Sequence, residues 1–179
     1  TPCQSSAASD VYKRQLRDVT EKHGGKYFAS AVGEVNVVNM MKEKNAVIGG
    51  EGNGGVIYPS SHYGRDALVG IALFLTHLAK KNMSMSELRA SYPNYVISKN
   101  KVELTPSIDI DNLVSKISKK YSHVEQNVID GLKLEFEDEW VHLRKSNTEP
   151  IIRIYAESKD VEKANMLASR FVEEVKSLM

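Results

Sequence analysis

Arg144-Lys145-Ser146-Asn147-Thr148-Glu149-Pro150 puts a basic residue, two hydroxyls and an amide into one short turn between two strand-like runs. A turn of that make-up suits a phosphate group. Backbone N–H groups converge on the anion, the hydroxyls donate further hydrogen bonds, and Arg144 can add a bidentate contact. The same residue types also make ordinary polar hairpin loops.

A second candidate is the glycine-rich run Gly49-Gly50-Glu51-Gly52-Asn53-Gly54-Gly55. Its glycines let a ligand approach the backbone closely. Glu51 and Asn53 supply the acceptors and donors that sugar hydroxyls require. Neither GxxxxGK[ST] nor GxGxxG is present, so this is not a nucleotide loop. The competing reading is a wide turn between two strands. Arg65-Asp66 follows, with Asp66 placed to cap a helix and Arg65 placed to face the loop.

Other signals carry less. Ser60-Ser61-His62 resembles a nucleophile beside a base, but adjacency in sequence does not give the spatial hydrogen bond that activation needs. Asp109 and Asp111 precede a helix with no third ligand nearby, which favours capping over metal binding. The five histidines lack HxxxH or HExxH spacing, and the single cysteine, Cys3, cannot build a zinc site. A net charge of +1, with no basic stripe interleaved by aromatics, argues against nucleic acid as a partner. No apolar run reaches the ~18–20 residues that span a bilayer. One thiol and no visible signal peptide fit a cytoplasmic setting.

The elements that must position these loops fall into two groups. Residues 1–15 are small and polar and read as a disordered or artefactual lead-in. From residue 16 to 91 helix and strand alternate: a helix from Leu16 to Gly24-Gly25, a strand at Lys26–Ser30, and a helix on Val35, Val38 and Met41 through Lys44. Short strands flank the glycine loop. A strongly apolar helix then runs from Arg65 to Lys81 and reads as core. The capping box Ser84-Met85-Ser86-Glu87 opens another helix. Residues 92–100 read as a linker or hinge. From 101 to 179 the pattern is a helix capped by Asp109 or Asp111, then strands at Leu132–Phe136, Trp140–Arg144 and Ile151–Ala156. A final amphipathic helix carries Val161, Ala164, Leu167 or Ala168, Phe171, Val175 and Leu178 on one face. The expected architecture is an α/β partial domain followed by a small α+β domain with an antiparallel sheet.

With both loops in hand, the chain resembles the α-D-phosphohexomutases, the phosphoglucomutase, phosphomannomutase and phosphoglucosamine mutase superfamily. Gly50-Glu51-Gly52-Asn53-Gly54-Gly55 is similar to the family's sugar-binding G-E-x-[SN]-G loop of domain 3. Arg144 to Pro150 is similar to its R-x-S-x-T-E-P phosphate loop of domain 4, with Arg153 as the trailing basic residue. The resemblance runs from about Leu16 to Met179. It implies that Glu51 and Asn53 bind the sugar of a hexose phosphate, and that Arg144, Ser146, Asn147, Thr148 and, less centrally, Arg153 bind its phosphate. Asn53 stands where serine is commoner, which bears on substrate identity more than on the site. Glu149 would turn away from the anion, toward Arg153. The family's phosphoserine loop (T-x-S-H-x-P) and magnesium loop (D-x-D-x-D-R) do not appear. The resemblance therefore implies a C-terminal fragment, inactive alone, with no catalytic residue or metal ligand of its own. Its partners would be the missing N-terminal domains, with Mg2+ bound there. The full-length protein would interconvert hexose 1- and 6-phosphates, most like a phosphoglucosamine mutase or phosphomanno/phosphoglucomutase. The alternative is a non-catalytic phosphosugar-binding module.

Overall fold

A computed structural model describes residues 6–10, 14–105, 108–146 and 148–179. The chain divides between Asn94 and Tyr95 into two compact units.

The first unit is built on a five-stranded mixed sheet in the order β2-β1-β3-β4-β5. Its strands are β1 (Ser6–Asp10), β2 (Lys26–Ser30), β3 (Ile48–Gly50), β4 (Val56–Tyr58) and β5 (His62–Arg65). β1 runs parallel to both β2 and β3, and β3, β4 and β5 are antiparallel neighbours. Residues 6–10 thus depart from the expected lead-in. Small residues there can lie between two strands, and Ala8 and Ser9 are buried.

Helices α1 (Arg14–Lys22) and α2 (Glu34–Lys44) join the strands. α1 stops as expected at Gly24-Gly25, where Gly25 N–H reaches back to the Thr20 carbonyl. α2 buries Val37 and Met41, with Val38 and Met40 partly covered, whereas Val35 is exposed. The buried stripe is therefore shifted from the Val35-Val38-Met41 spacing. Met41 packs where a side chain on Gly49 would sit, so the first glycine of the loop is a packing requirement.

α3 (Ala67–Lys81) is capped by Asp66, whose carboxylate accepts from Val69 N–H. The sequence reads this helix as core, but none of its residues is buried. Leu68, Ile71, Phe74 and Leu75 are exposed. Its contact with the sheet runs through Gly70 against Val56, and His77 lies 3.1 Å from the Tyr92 hydroxyl. The expected capping box opens α4 (Met85–Ala90): Ser84 Oγ accepts from Glu87 N–H, and Glu87 accepts from Ser84 N–H.

The second unit is a five-stranded antiparallel sheet in the order β6-β10-β9-β8-β7, with two helices. Its strands are β6 (Val96–Glu103), β7 (Glu125–Asn127), β8 (Leu132–Glu135), β9 (Trp140–Lys145) and β10 (Ile151–Ser158). β6 corrects the linker expectation for residues 96–100, because Val96 to Glu103 pairs with β10 along its whole length. The unbroken polar run Ser98-Lys99-Asn100-Lys101 disguises an edge strand as a linker. β7 likewise has no apolar pattern and is held by its pairing with β8.

One face of this sheet carries Val102, Leu132, Leu134, Val141, Leu143, Ile152, Ile154 and Ala156. It packs on α5 (Ile110–Lys120) and α6 (Val161–Ser177) through Leu113, Ile117, Leu167, Ala168, Phe171 and Val175. Asp109 and Asp160 cap the two helices. The opposite face is polar yet partly buried. Lys133 pairs with Glu135 at 2.5 Å and lies 4.6 Å over the Trp140 ring, and Trp140 Nε1 donates to Glu157 at 2.6 Å. β8 is therefore buried on both faces, not the half-buried strand its alternation suggests.

Candidate functional site

The glycine loop is a hairpin between β3 and β4. Gly50 pairs with Val56, Glu51 N–H donates to the Gly55 carbonyl at 3.1 Å, and Gly54 N–H donates to the Glu51 carbonyl at 3.0 Å. Gly54 has φ 94°, a left-handed value that a side chain disfavours. A Cβ on Gly50 would collide with the Gly55 carbonyl oxygen. The glycines are thus required by the tightness of the turn itself.

Within it, Asn53 Oδ1 accepts from Gly55 N–H at 3.0 Å. The amide nitrogen and a second lone pair on Oδ1 are what Asn53 can then offer a ligand. The Glu51 side chain is only 9% exposed, and its Oε2 lies 3.2 Å from Arg65 Nη1. Glu51 and Asn53 line separate concave surfaces. Glu51 borders one with Leu16, Val19 and Tyr92; Asn53 borders another with Glu34, Arg65 and Asp66. Gly54 and Gly55 border both.

Arg65, at the end of β5, ties this region together. Its Nε donates to Glu34 Oε2 at 2.8 Å and its backbone N–H to Glu34 Oε1 at 3.0 Å. The backbone hydrogen bond from Arg65, followed by its guanidinium, holds the Glu34 carboxyl below its usual range. Sequence spacing could not reveal Glu34, which is 31 residues from Arg65. His62 Nε2 is engaged by Asp66 at 3.0 Å, which gives the ring a structural partner beside the α3 cap.

In the second unit the hydroxyl-bearing turn joins β9 to β10. Ser146 N–H donates to the Ile151 carbonyl at 3.0 Å, and Ser146 is buried. Thr148 N–H and Thr148 Oγ1 each lie 3.4 Å from Ser146 Oγ, and Arg153 Nη2 lies 3.5 Å from it. Ser146, Thr148 and Arg153 are therefore gathered at one point. Asn147 lies outside the described residues. Glu149 turns toward Arg153, 3.5 Å from it, as the sequence reading expects.

Arg144 is the direct cross-strand partner of Arg153, and Arg153 is that of Lys101 on β6. Three cations thus share one row on one face, which raises the local positive potential. Lys101 was not legible as part of this row, because only the β6–β10 register places it there. Arg144 Nε donates to Asp130 Oδ1 at 2.9 Å, with both side chains about one-fifth exposed. Next to it, His142 Nε2 donates to the Asp130 carbonyl at 2.5 Å. Burial lowers the His142 pKa to about 4, so the ring is neutral near pH 7.

Asp109 spends its carboxylate on the α5 cap. Among the described residues no group of three or more His, Cys, Asp or Glu is placed to hold a metal ion. No helix among them is long and apolar enough to cross a membrane.

A mixed α/β unit with a polar glycine hairpin, followed by an antiparallel unit with a cationic hydroxyl turn, defines a two-unit class of architecture. Comparison with known proteins narrows that class. Residues 7–95 match the phosphoglucomutase/phosphomannomutase alpha/beta/alpha domain III, and residues 101–174 match the C-terminal domain of the same family. The chain belongs to the phosphoglucomutase/phosphomannomutase family.

It is 42% identical over 140 residues to a phosphoglucosamine/phosphogalactosamine mutase of Sulfurisphaera tokodaii, covering 77% of this chain and 31% of that protein. It is 37% identical over 151 residues to a phosphoglucomutase/phosphomannomutase of Thermococcus kodakarensis, covering 83% of this chain and 33% of that protein. A crystal structure of a family member from Burkholderia thailandensis superposes with a TM-score of 0.78 at 25% identity, over 98% of this chain and 38% of that one. The chain spans about a third of the length of the curated relatives it matches.

Proposed function

We propose that this chain supplies the sugar- and phosphate-holding part of a phosphohexomutase that interconverts hexose 1-phosphates and 6-phosphates. The observation that carries the reading is the gathering of Ser146 and Thr148 of the turn with Arg153 of β10 at one point, with Arg144 in register beside Arg153. In a chain of this family such a turn is the natural seat for the phosphate that is not reacting.

Glu51 would accept hydrogen bonds from sugar hydroxyls and Asn53 would donate to them. Arg144, Ser146, Asn147, Thr148 and Arg153 would hold the phosphate. This is positioning and electrostatic work, with no bond made or broken by these residues. The relatives named above act on amino-hexose and hexose phosphates, and we assign this chain to the same substrate class, in the cytoplasm. Magnesium would supply charge neutralisation at the transferring phosphoryl group. Among the described residues no group of three or more His, Cys, Asp or Glu fits it, and the relatives are about three times as long as this chain, so we assign the metal and the phosphoryl carrier to other parts of the whole protein.

Arg144→Ala in the full-length protein tests the reading. Loss of a charged hydrogen bond predicts weaker phosphosugar binding by about 1.5–3 kcal/mol. Unchanged affinity for both glucose 1-phosphate and glucosamine 6-phosphate would refute it.

A further inference from the structure

We propose that Asp130 is a positioning residue for Arg144, setting the guanidinium for the phosphate; this rests on the phosphate-holding role given to Arg144 above. Asp130 sits in the turn between β7 and β8, fourteen residues upstream of the arginine. Three contacts fix that turn to β9. Arg144 Nε donates to Asp130 Oδ1 at 2.9 Å. His142 Nε2, two residues earlier on the same strand, donates to the Asp130 main-chain carbonyl at 2.5 Å. Gly131 has φ 87° and lies so close to the Leu143 carbonyl oxygen that a Cβ there would collide with it.

The turn is therefore anchored by the residues on either side of Leu143 and by Leu143 itself. The carboxylate it presents is not free to wander.

An arginine is a long side chain whose planar fork recognises phosphate only in a limited range of orientations. Engagement at Nε restrains the plane of the guanidinium. The opposing effect is electrostatic: a carboxylate beside an anion site repels the anion. Geometry decides between them. The pair is about four-fifths removed from solvent, so its hydrogen bond is a defined one. The arginine also faces another cation, Arg153, directly across the strands. Without Asp130, two like charges on neighbouring strands would push Arg144 out of that orientation.

The test is steady-state kinetics of the full-length enzyme on glucose 1-phosphate and glucosamine 6-phosphate, with Asp130→Ala, Asp130→Asn, Arg144→Ala and the Asp130→Ala/Arg144→Ala pair. Asp130→Ala should raise KM about tenfold with a smaller change in kcat. Asp130→Asn, whose amide oxygen still accepts from Nε, should stay within about threefold of the parent. In the Arg144→Ala background, Asp130→Ala should add less than about twofold, because residues acting through one another are not additive. An unchanged or lowered KM for Asp130→Ala, or a fully additive double variant, overturns the proposal. Should Asp130→Ala fail to fold, Asp130→Ser, too short to reach Nε, takes its place in the same cycle. If Arg144→Ala itself leaves KM unchanged, the phosphate role of Arg144 falls. An effect of Arg144→Ala without one of Asp130→Ala sinks the inference alone.

Discussion

Arg65 Nη1 lies 3.2 Å from Glu51 Oε2, so the carboxylate proposed to grip the sugar is itself gripped by a cation from β5. The same guanidinium is anchored from behind by Glu34. A carboxylate that must accept from hydroxyls works best when its orientation is set before the ligand arrives. Arg65→Ala in the full-length protein should therefore weaken hexose phosphate binding by about three- to tenfold, as expected when a hydrogen-bonding group loses its support. Glu34→Gln should do the same more weakly, since the amide can still accept from Arg65. Titration calorimetry checks both; a wild-type affinity for Arg65→Ala would show that Glu51 needs no such support.

His142 makes the second unit acid-sensitive. Its pKa is lowered to about 4 by burial, against about 6.5 in an unfolded chain. Between these values the unfolded chain takes up a proton that the folded one refuses. The stability this costs is nil above pH 6.5, grows as pH falls, and is complete below pH 4, on the order of 3 kcal/mol. The groups facing the ring are Asp130, Lys133 and Arg144. Trp140 is the sole tryptophan and lies in this unit, so urea unfolding followed by its fluorescence reports on it. Stability should drop between pH 6.5 and 4 and do so much less in His142→Gln. Equal pH slopes in the two proteins would remove His142 as the cause.

Much of this was legible because the relevant signals were local. Ser84 three residues before Glu87 and Gly24-Gly25 after α1 marked helix ends by short-range hydrogen bonding, and the structure keeps them; of the two candidate caps Asp109 and Asp111, Asp109 is the one that caps α5. The strand read at Ile151–Ala156 falls within β10, whose Ile152, Ile154 and Ala156 line the core. The losses came where pairing rather than pattern decides. β6 and β7 have little apolar periodicity and exist because neighbours hydrogen-bond to them. Lys101, Glu34 and Asp130 owe their places beside candidate site residues to contacts that sequence spacing does not encode.

The α3 helix gives a direct measure of one such loss. Its apolar composition reads as core, yet Leu75 is 53% exposed and no α3 residue is buried. Leu75→Ala in this 179-residue chain should change stability by no more than about 0.5 kcal/mol. A buried leucine would cost about 2–5 kcal/mol for the same truncation. Thermal melting followed by circular dichroism distinguishes the two, and a loss in the larger range would mean that this face is covered in solution.

Gly131 offers the sharpest structural test of the turn that carries Asp130. Its φ of 87° lies in the left-handed region, and the space a Cβ needs is filled by the Leu143 carbonyl oxygen, a backbone atom that cannot swing aside. Gly131→Ala therefore combines an unfavourable dihedral with a clash against β9. The expected loss is about 2 kcal/mol or more, beyond the usual surface range. Relief would require the turn to move away from β9, and this would draw Asp130 off Arg144 and its carbonyl off His142. Urea unfolding read at Trp140 measures the stability change. The His142 ring NMR signals read the displacement, because a ring that loses its burial and its carbonyl partner should titrate closer to pH 6.5. A variant as stable as the parent, with an unshifted His142 titration, would show that the β7–β8 turn is not locked to β9 at this glycine.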